Sequence, residues 1–102
     1  MYRVAFTRRA QADLHGLFDY LAGRFSLANA HRYVEQIEKT CESLATMPNR
    51  GTERSDLRPG LRTMGFRYRV TIAFRIKGES VSILRILYDG RSTDLAFPPE
   101  EI

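Results

Sequence analysis

The chain has 102 residues, 43% of them hydrophobic, with a single cysteine and a formal net charge of +4. That length argues for one domain spanning 1–102, and the apolar fraction is that of a globular protein rather than a disordered one. One cysteine excludes a disulfide framework, and no window approaches the ~18 apolar residues that a membrane-spanning helix needs.

In chain order, Tyr2 to Phe6 alternates in part and reads as a short first strand. Thr7 can then cap a helix. Ala10, Leu14, Leu17, Phe18, Leu21 and Phe25 recur at helical spacing and form one apolar stripe. Gly23 weakens the end of that helix, and Ser26 can cap the next. Ala30, Tyr33, Val34, Ile37, Cys41, Leu44 and Ala45 make the second stripe, which ends near Met47-Pro48 because a residue before proline resists the helical region. Two such helices joined by about four residues predict an antiparallel hairpin. Pro48 to Gly60 reads as irregular, with turn signals at Asn49-Arg50-Gly51 and Arg58-Pro59-Gly60.

Three strands follow. The first runs from Leu61 to Phe66, and the second places Val70, Ile72, Phe74 and Ile76 on one face. Lys77-Gly78 predicts a hairpin turn. The third strand, Val81 to Tyr88, is apolar on both faces and is therefore central. Pro98-Pro99 blocks regular structure in the tail. The order β-α-α-β-β-β predicts an α+β domain, with the helical hairpin packed on a small, mainly antiparallel sheet.

Charge is unevenly placed. From Arg50 to Arg75 seven arginines face only Glu53 and Asp56, a net of +5. Nearly every basic residue is arginine, whose planar fork suits phosphate, carboxylate and interfaces better than lysine does. Arg62, Arg67, Arg69, Arg75, Arg85 and Arg91, with Tyr88, form the constellation of interest. Arg58, Arg62, Arg69 and Arg91 lie at turns or strand positions able to reach outward. Arg85 shares an expected strand face with Val81, Ile83 and Leu87, which calls for an ion pair or an interface. Elsewhere chemistry is poorly supported. His15 and His31 fall on the helices as surface or boundary residues, Cys41 sits in an apolar stripe, and Glu35, Glu38 and Glu42 read as a wet helix face. No phosphate loop, dinucleotide fingerprint or metal-ligand spacing is present, so no cofactor and no metal are expected. Metal-free RNA cleavage would need a base, and Tyr88 is the one candidate among these arginines, a weak one because a free tyrosine has a pKa near 10. Protein binding needs arginines and aromatics but no base.

Val4-x-Phe6-Thr7-x-x-Ala10-x-x-Asp13-Leu14, Ile37-x-x-x-Cys41-x-x-Leu44-x-x-Met47-Pro48-x-Arg50-Gly51, Asp56-Leu57-Arg58-Pro59-Gly60-Leu61-Arg62 and Val81-x-Ile83-Leu84-Arg85-Ile86-Leu87-Tyr88-x-Gly90-Arg91 together resemble the ParE/RelE superfamily of bacterial toxins, on the ParE side. The resemblance implies the toxin of a type II toxin–antitoxin pair, in the cytoplasm. Such a toxin inhibits DNA gyrase by direct binding and is neutralised by a ParD-like antitoxin carrying a ribbon-helix-helix DNA-binding segment. The toxin itself would not bind DNA sequence-specifically, and no membrane is involved. Relatives on the RelE side cut mRNA on the ribosome, and a non-toxic, antitoxin-binding paralogue is a third expectation. Target contacts are expected at Arg58, Arg62, Arg69, Arg85, Tyr88 and Arg91. Antitoxin contacts are expected at Leu17, Leu21 and Tyr33, taken as the less buried members of the helical stripes. A histidine is common in ParE-like chains where this one has Tyr88.

Overall fold

The computed structural model describes residues 1–67 and 69–98. Strand β1 (Arg3–Phe6) leads into helix α1 (Arg8–Arg24) and helix α2 (Leu27–Glu42), which a short 3-10 turn (Ser43–Ala45) extends. Strands β2 (Thr52–Glu53), β3 (Leu61–Phe66), β4 (Val70–Lys77) and β5 (Ser80–Leu87) follow, then a one-turn helix α3 (Thr93–Ala96). The strands form one sheet in the order β1-β5-β4-β3-β2, antiparallel except where β1 runs parallel to β5. β5 is thus interior, as its two apolar faces require. The architecture is the expected α+β arrangement of helices on a mostly antiparallel sheet.

Both helix starts are capped as the sequence suggests. The Ala10 N–H donates to Thr7 Oγ1, and the Asn29 N–H donates to Ser26 Oγ, each at 3.1 Å. Thr7 also ties α1 to the sheet, because its hydroxyl donates to the Leu84 carbonyl (3.1 Å). The stripes of α1 and α2 meet Val70, Ile72 and Phe74 of β4 and Val81, Ile83 and Ile86 of β5 in one core. Phe74, Ile37, Leu44 and Ile72 are fully buried there. Full burial of such a side chain contributes about 1.5–3 kcal/mol. The β4–β5 turn places Gly78 at φ +58, a conformation that glycine adopts without a Cβ penalty.

Two elements depart from the expectation. The segment before β3 is not wholly irregular: Thr52 and Glu53 pair with Thr63 and Arg62. Gly51 permits this, since at φ +74 a Cβ there would lie 2.2 Å from the Thr63 carbonyl oxygen. The tail also holds α3, whose first turn Ser92 caps by accepting from the Asp94 N–H (3.1 Å). Arg54 fastens this tail to the β2–β3 loop, donating to Asp56 from Nε and Nη2 and to Asp94 from Nη2. Pro98 remains outside regular structure; Pro99 lies outside the described residues.

Arg85 departs from its expected place as well. The β4–β5 register shifts between Ala73 and Phe74, so Arg85 pairs with Ala73 rather than continuing the Val81–Ile83 face. Its guanidinium forms a fork on Asp13 of α1, Nε to Oδ2 at 2.7 Å and Nη2 to Oδ1 at 3.1 Å. Asp13 Oδ2 also accepts the Ile86 N–H at 2.9 Å. That N–H lies on β5 three residues beyond Ile83, the last residue paired with β1, so the carboxylate continues the cover of this edge after β1 and Thr7 stop.

Candidate functional site

One end of the molecule gathers four chain segments: the tip of the helical hairpin, the first turns of α2, the β3–β4 connection and the turn after β5. Three adjoining hollows lie between them. The first, of 290 Å³, lies among Leu17, Tyr20, Leu21, Arg24, Phe25, Tyr33, Arg69, Val70, Tyr88 and Asp89. The second, of 320 Å³, shares Leu21, Phe25 and Tyr33 and adds Asn29, Arg32, Gln36 and Arg67. The third, of 560 Å³, is walled by Gly65, Arg67, Arg69, Val70, Thr71, Gly90 and Arg91. Among the described residues, Arg24, Arg32, Arg67, Arg69 and Arg91 thus face this cleft against one acid, Asp89.

The arginines are ordered by aromatic rings. Arg24 lies over Tyr20 (4.7 Å to the centroid), Tyr20 packs on Tyr88 (5.7 Å between centroids), and Arg91 lies over Tyr88 (4.4 Å). Arg67 lies 5.8 Å from the Tyr33 centroid and 5.7 Å from that of Phe66, and these two rings meet edge to face at 5.5 Å. Nη2 of Arg67 also donates to Gln36 Oε1 (2.6 Å). Each such cation–π contact contributes roughly 0.5–1 kcal/mol at an exposed site. Burial pushes the Tyr33 phenol above its ordinary value, and the charge of Arg67 partly offsets that rise. Two turns present these side chains. Arg67 itself adopts φ +51, and Asp89 (φ +56) and Gly90 (φ +76) reverse the chain after β5. A left-handed arginine costs about 1–2 kcal/mol.

Of the residues expected to contact a target or an antitoxin, the fold brings together Arg69, Tyr88, Arg91, Leu17, Leu21 and Tyr33 in this one cleft. Leu17, however, is 2% exposed and belongs to the core, so it is not one of the less buried stripe members. Tyr88 is 7% exposed; its ring packs against α1, where a Cβ on Gly16 would fall 2.8 Å from the Tyr88 hydroxyl. Arg85 is committed to Asp13. Arg58 Nη1 donates to the carbonyls of Leu57 (2.7 Å) and Pro98 (2.8 Å), and Arg62 Nε donates to that of Arg50 (2.9 Å). These two fasten loops rather than reach outward.

Sequence reasoning misses Arg24, Phe25 and Arg32. Phe25 fits the α1 stripe, yet it is 66% exposed because the helix has ended at Arg24. Gly23 followed by the Ser26 cap was the signal that this position leaves the core-facing register.

The remaining chemistry is sparse. His15 and His31 are both exposed, on a separate 660 Å³ groove of the hairpin shared with Phe18, Asp19, Glu35 and Glu38. Cys41 is buried, and burial with the nearby Glu38 and Glu42 charges pushes its thiol up to about 12. Among the described residues no three His, Cys, Asp or Glu side chains are grouped to hold a metal ion, and no helix is long and apolar enough to cross a membrane.

The family described as the ParE toxin of the type II toxin–antitoxin system, parDE, matches residues 4–92. Toxin ParE3 of Caulobacter vibrioides is 40% identical over 91 residues, which is 89% of this chain and 89% of that protein. Toxin ParE1 of the same species is 32% identical over 87 residues, covering 85% and 86%. Among solved structures, the chromosomal ParDE toxin–antitoxin system from P. aeruginosa superposes with a TM-score of 0.75 at 31% identity, covering 86% of this chain and 96% of that one. The RelBE2 toxin–antitoxin complex of Mycobacterium tuberculosis shares the fold, with a TM-score of 0.61 at 22% identity over 86% of this chain and 98% of that one. The chain belongs to the ParE toxin family.

Proposed function

We propose that this ParE-family toxin inhibits DNA gyrase by binding it, and that a cognate antitoxin silences it in the cytoplasm by occupying the same cleft. The observation that carries this reading is the composition of the cleft. Five arginines and the rings of Tyr20, Phe25, Tyr33 and Tyr88 converge there, and Asp89 is the one carboxylate among the described lining residues. Arginine and aromatic side chains dominate binding hot spots. Acid–base cleavage of RNA would instead need a group near the operating pH with access to the 2′-hydroxyl. Tyr88, the candidate from sequence, is packed in the core. Leu21, Phe25 and Tyr33 leave apolar area beside the arginines, which suits an amphipathic antitoxin segment with acidic flanks. The kinship with a ParDE pair supports an antitoxin of ParD type, a ribbon-helix-helix protein.

The test is a supercoiling assay with gyrase from the same host. Wild-type toxin inhibits, added antitoxin restores activity, and Arg24→Glu with Arg32→Glu relieves inhibition while circular dichroism stays native. Translating ribosomes exposed to the same toxin retain intact mRNA. Undiminished supercoiling in excess folded toxin rejects gyrase as the target. A cleavage ladder on the ribosome moves the assignment to the RelE activity.

A further inference from the structure

The 560 Å³ basin is chemically distinct from the aromatic part of the cleft. Arg67, Arg69 and Arg91 converge on it with Thr71, and among the described residues no carboxylate lines it. Its walls include Gly65 and Gly90, where an added Cβ would meet nothing within 4 Å, so the backbone there is open to close approach. Arg67 is set in place beforehand by Gln36 and the Tyr33 and Phe66 rings, and Arg91 by the face of Tyr88. A guanidinium stacked on a ring keeps its in-plane N–H edge for an oxygen acceptor, and that edge matches a phosphate. We propose that this basin holds the phosphodiester backbone of a single DNA strand, with the neighbouring bases lying against the aromatic cleft.

A strand fits better than an acidic peptide because the cleft pairs phosphate forks with the exposed ring of Phe25 and the half-buried rings of Tyr20 and Tyr33, the combination that binds unpaired nucleotides without regard to sequence. A duplex would keep its bases stacked inside and leave those rings unused. The choice of DNA rests on the gyrase reading above, since gyrase holds opened DNA during its cycle.

The probe is a fluorescein-labelled oligothymidylate 12-mer titrated with the full chain and followed by anisotropy between 50 and 200 mM salt. Three phosphate contacts predict a slope of log K against log salt of about −2, at roughly −0.7 per contact on a single strand. Arg67→Ala, Arg69→Ala and Arg91→Ala should each weaken binding about tenfold and flatten the slope by about 0.7, as loss of a charge-assisted contact does. All three side chains are exposed, so the fold should persist, checked by circular dichroism. Lys39→Ala, an exposed α2 position that lines neither the basin nor the adjoining hollows, should leave binding unchanged. The proposal is overturned if the arginine variants bind as wild type, if a glutamate 12-mer competes as well as the oligonucleotide, or if oligouridylate binds more tightly than oligothymidylate. Strand binding with untouched gyrase refutes the gyrase target and leaves the basin standing; gyrase inhibition without strand binding does the reverse.

Discussion

Replacing Asp13 by alanine should cost this domain much of its stability. The carboxylate is 6% exposed and accepts three hydrogen bonds, two from Arg85 and one from the Ile86 N–H. Its removal strands a guanidinium whose side chain is 13% exposed and orphans a backbone donor on the β5 edge. Breaking a buried pair from one side costs about 3–5 kcal/mol. A domain of this length is stable by roughly 5–15 kcal/mol in all. The loss corresponds to a fall in Tm of at least ~12 °C, using about 4–8 °C per kcal/mol at this size. Urea unfolding followed by circular dichroism gives the energy, and hydrogen exchange at Ile86 reports the opened edge. Replacing both partners, Asp13→Leu with Arg85→Met, should recover part of the loss, because an apolar pair leaves no stranded charge while the Ile86 N–H stays without its acceptor. A loss below about 1 kcal/mol in Asp13→Ala, or a double variant no better than the single, would refute the argument that this pair clamps α1 to the sheet.

Gly16→Ala should push the Tyr88 ring from its seat, since the new Cβ would lie 2.8 Å from its hydroxyl. Pairing it with Tyr88→Phe should restore the melting temperature, and Tyr88→Phe alone should keep full toxicity in cells; loss of toxicity with an intact fold would show a chemical role for the hydroxyl. Cys41 should resist a disulfide reagent at pH 8 in the native state and react fully in denaturant, because its thiol is buried and raised to about 12. The Arg54 fork holds the Asp56 carboxyl below its usual value. A depressed carboxylate contributes stability above its unfolded pKa, near 3.9, and loses it as pH falls through the lower folded value. NMR of the Arg54 Nε–H should therefore show the loop clamp intact at pH 6 and released in strong acid, with earlier release in 1 M salt, where surface charges are screened.

The regular elements were legible because they rest on periodicity and local chemistry. The stripe from Ala10 to Leu17 and the alternation of Val70, Ile72 and Phe74 mark core faces, and Thr7 and Ser26 mark helix starts through the hydrogen bonds they accept. β2 was not legible. Two residues carry no period, and their pairing depends on Gly51 slipping past Thr63 in space. The face of Arg85 was misread for a related reason, since a register shift inverts the alternation beyond it without leaving a mark in composition.

The site divides along the same line. The motifs that carry the family resemblance, Thr7 to Asp13 and Ile83 to Leu87, turn out to hold the frame: Thr7 caps α1 and bonds Leu84, while Asp13 receives Arg85 and Ile86. A clamp between a helix and a strand admits few geometries, and that ties its residues to a fixed spacing. The cleft is built otherwise, from Arg24 and Phe25 at a helix end, Arg32 on the next helix, Arg67 and Arg69 in a turn, and Arg91 beyond a strand. Only the closed fold makes them neighbours, and each can change without disturbing the core because the five arginines and Phe25 are all exposed. Partner recognition can therefore diverge within a constant frame. Swapping Arg24, Phe25 and Arg32 for the residues of a related toxin should change which antitoxin neutralises the chain and leave its melting temperature within about 2 °C, since surface substitutions shift stability by little.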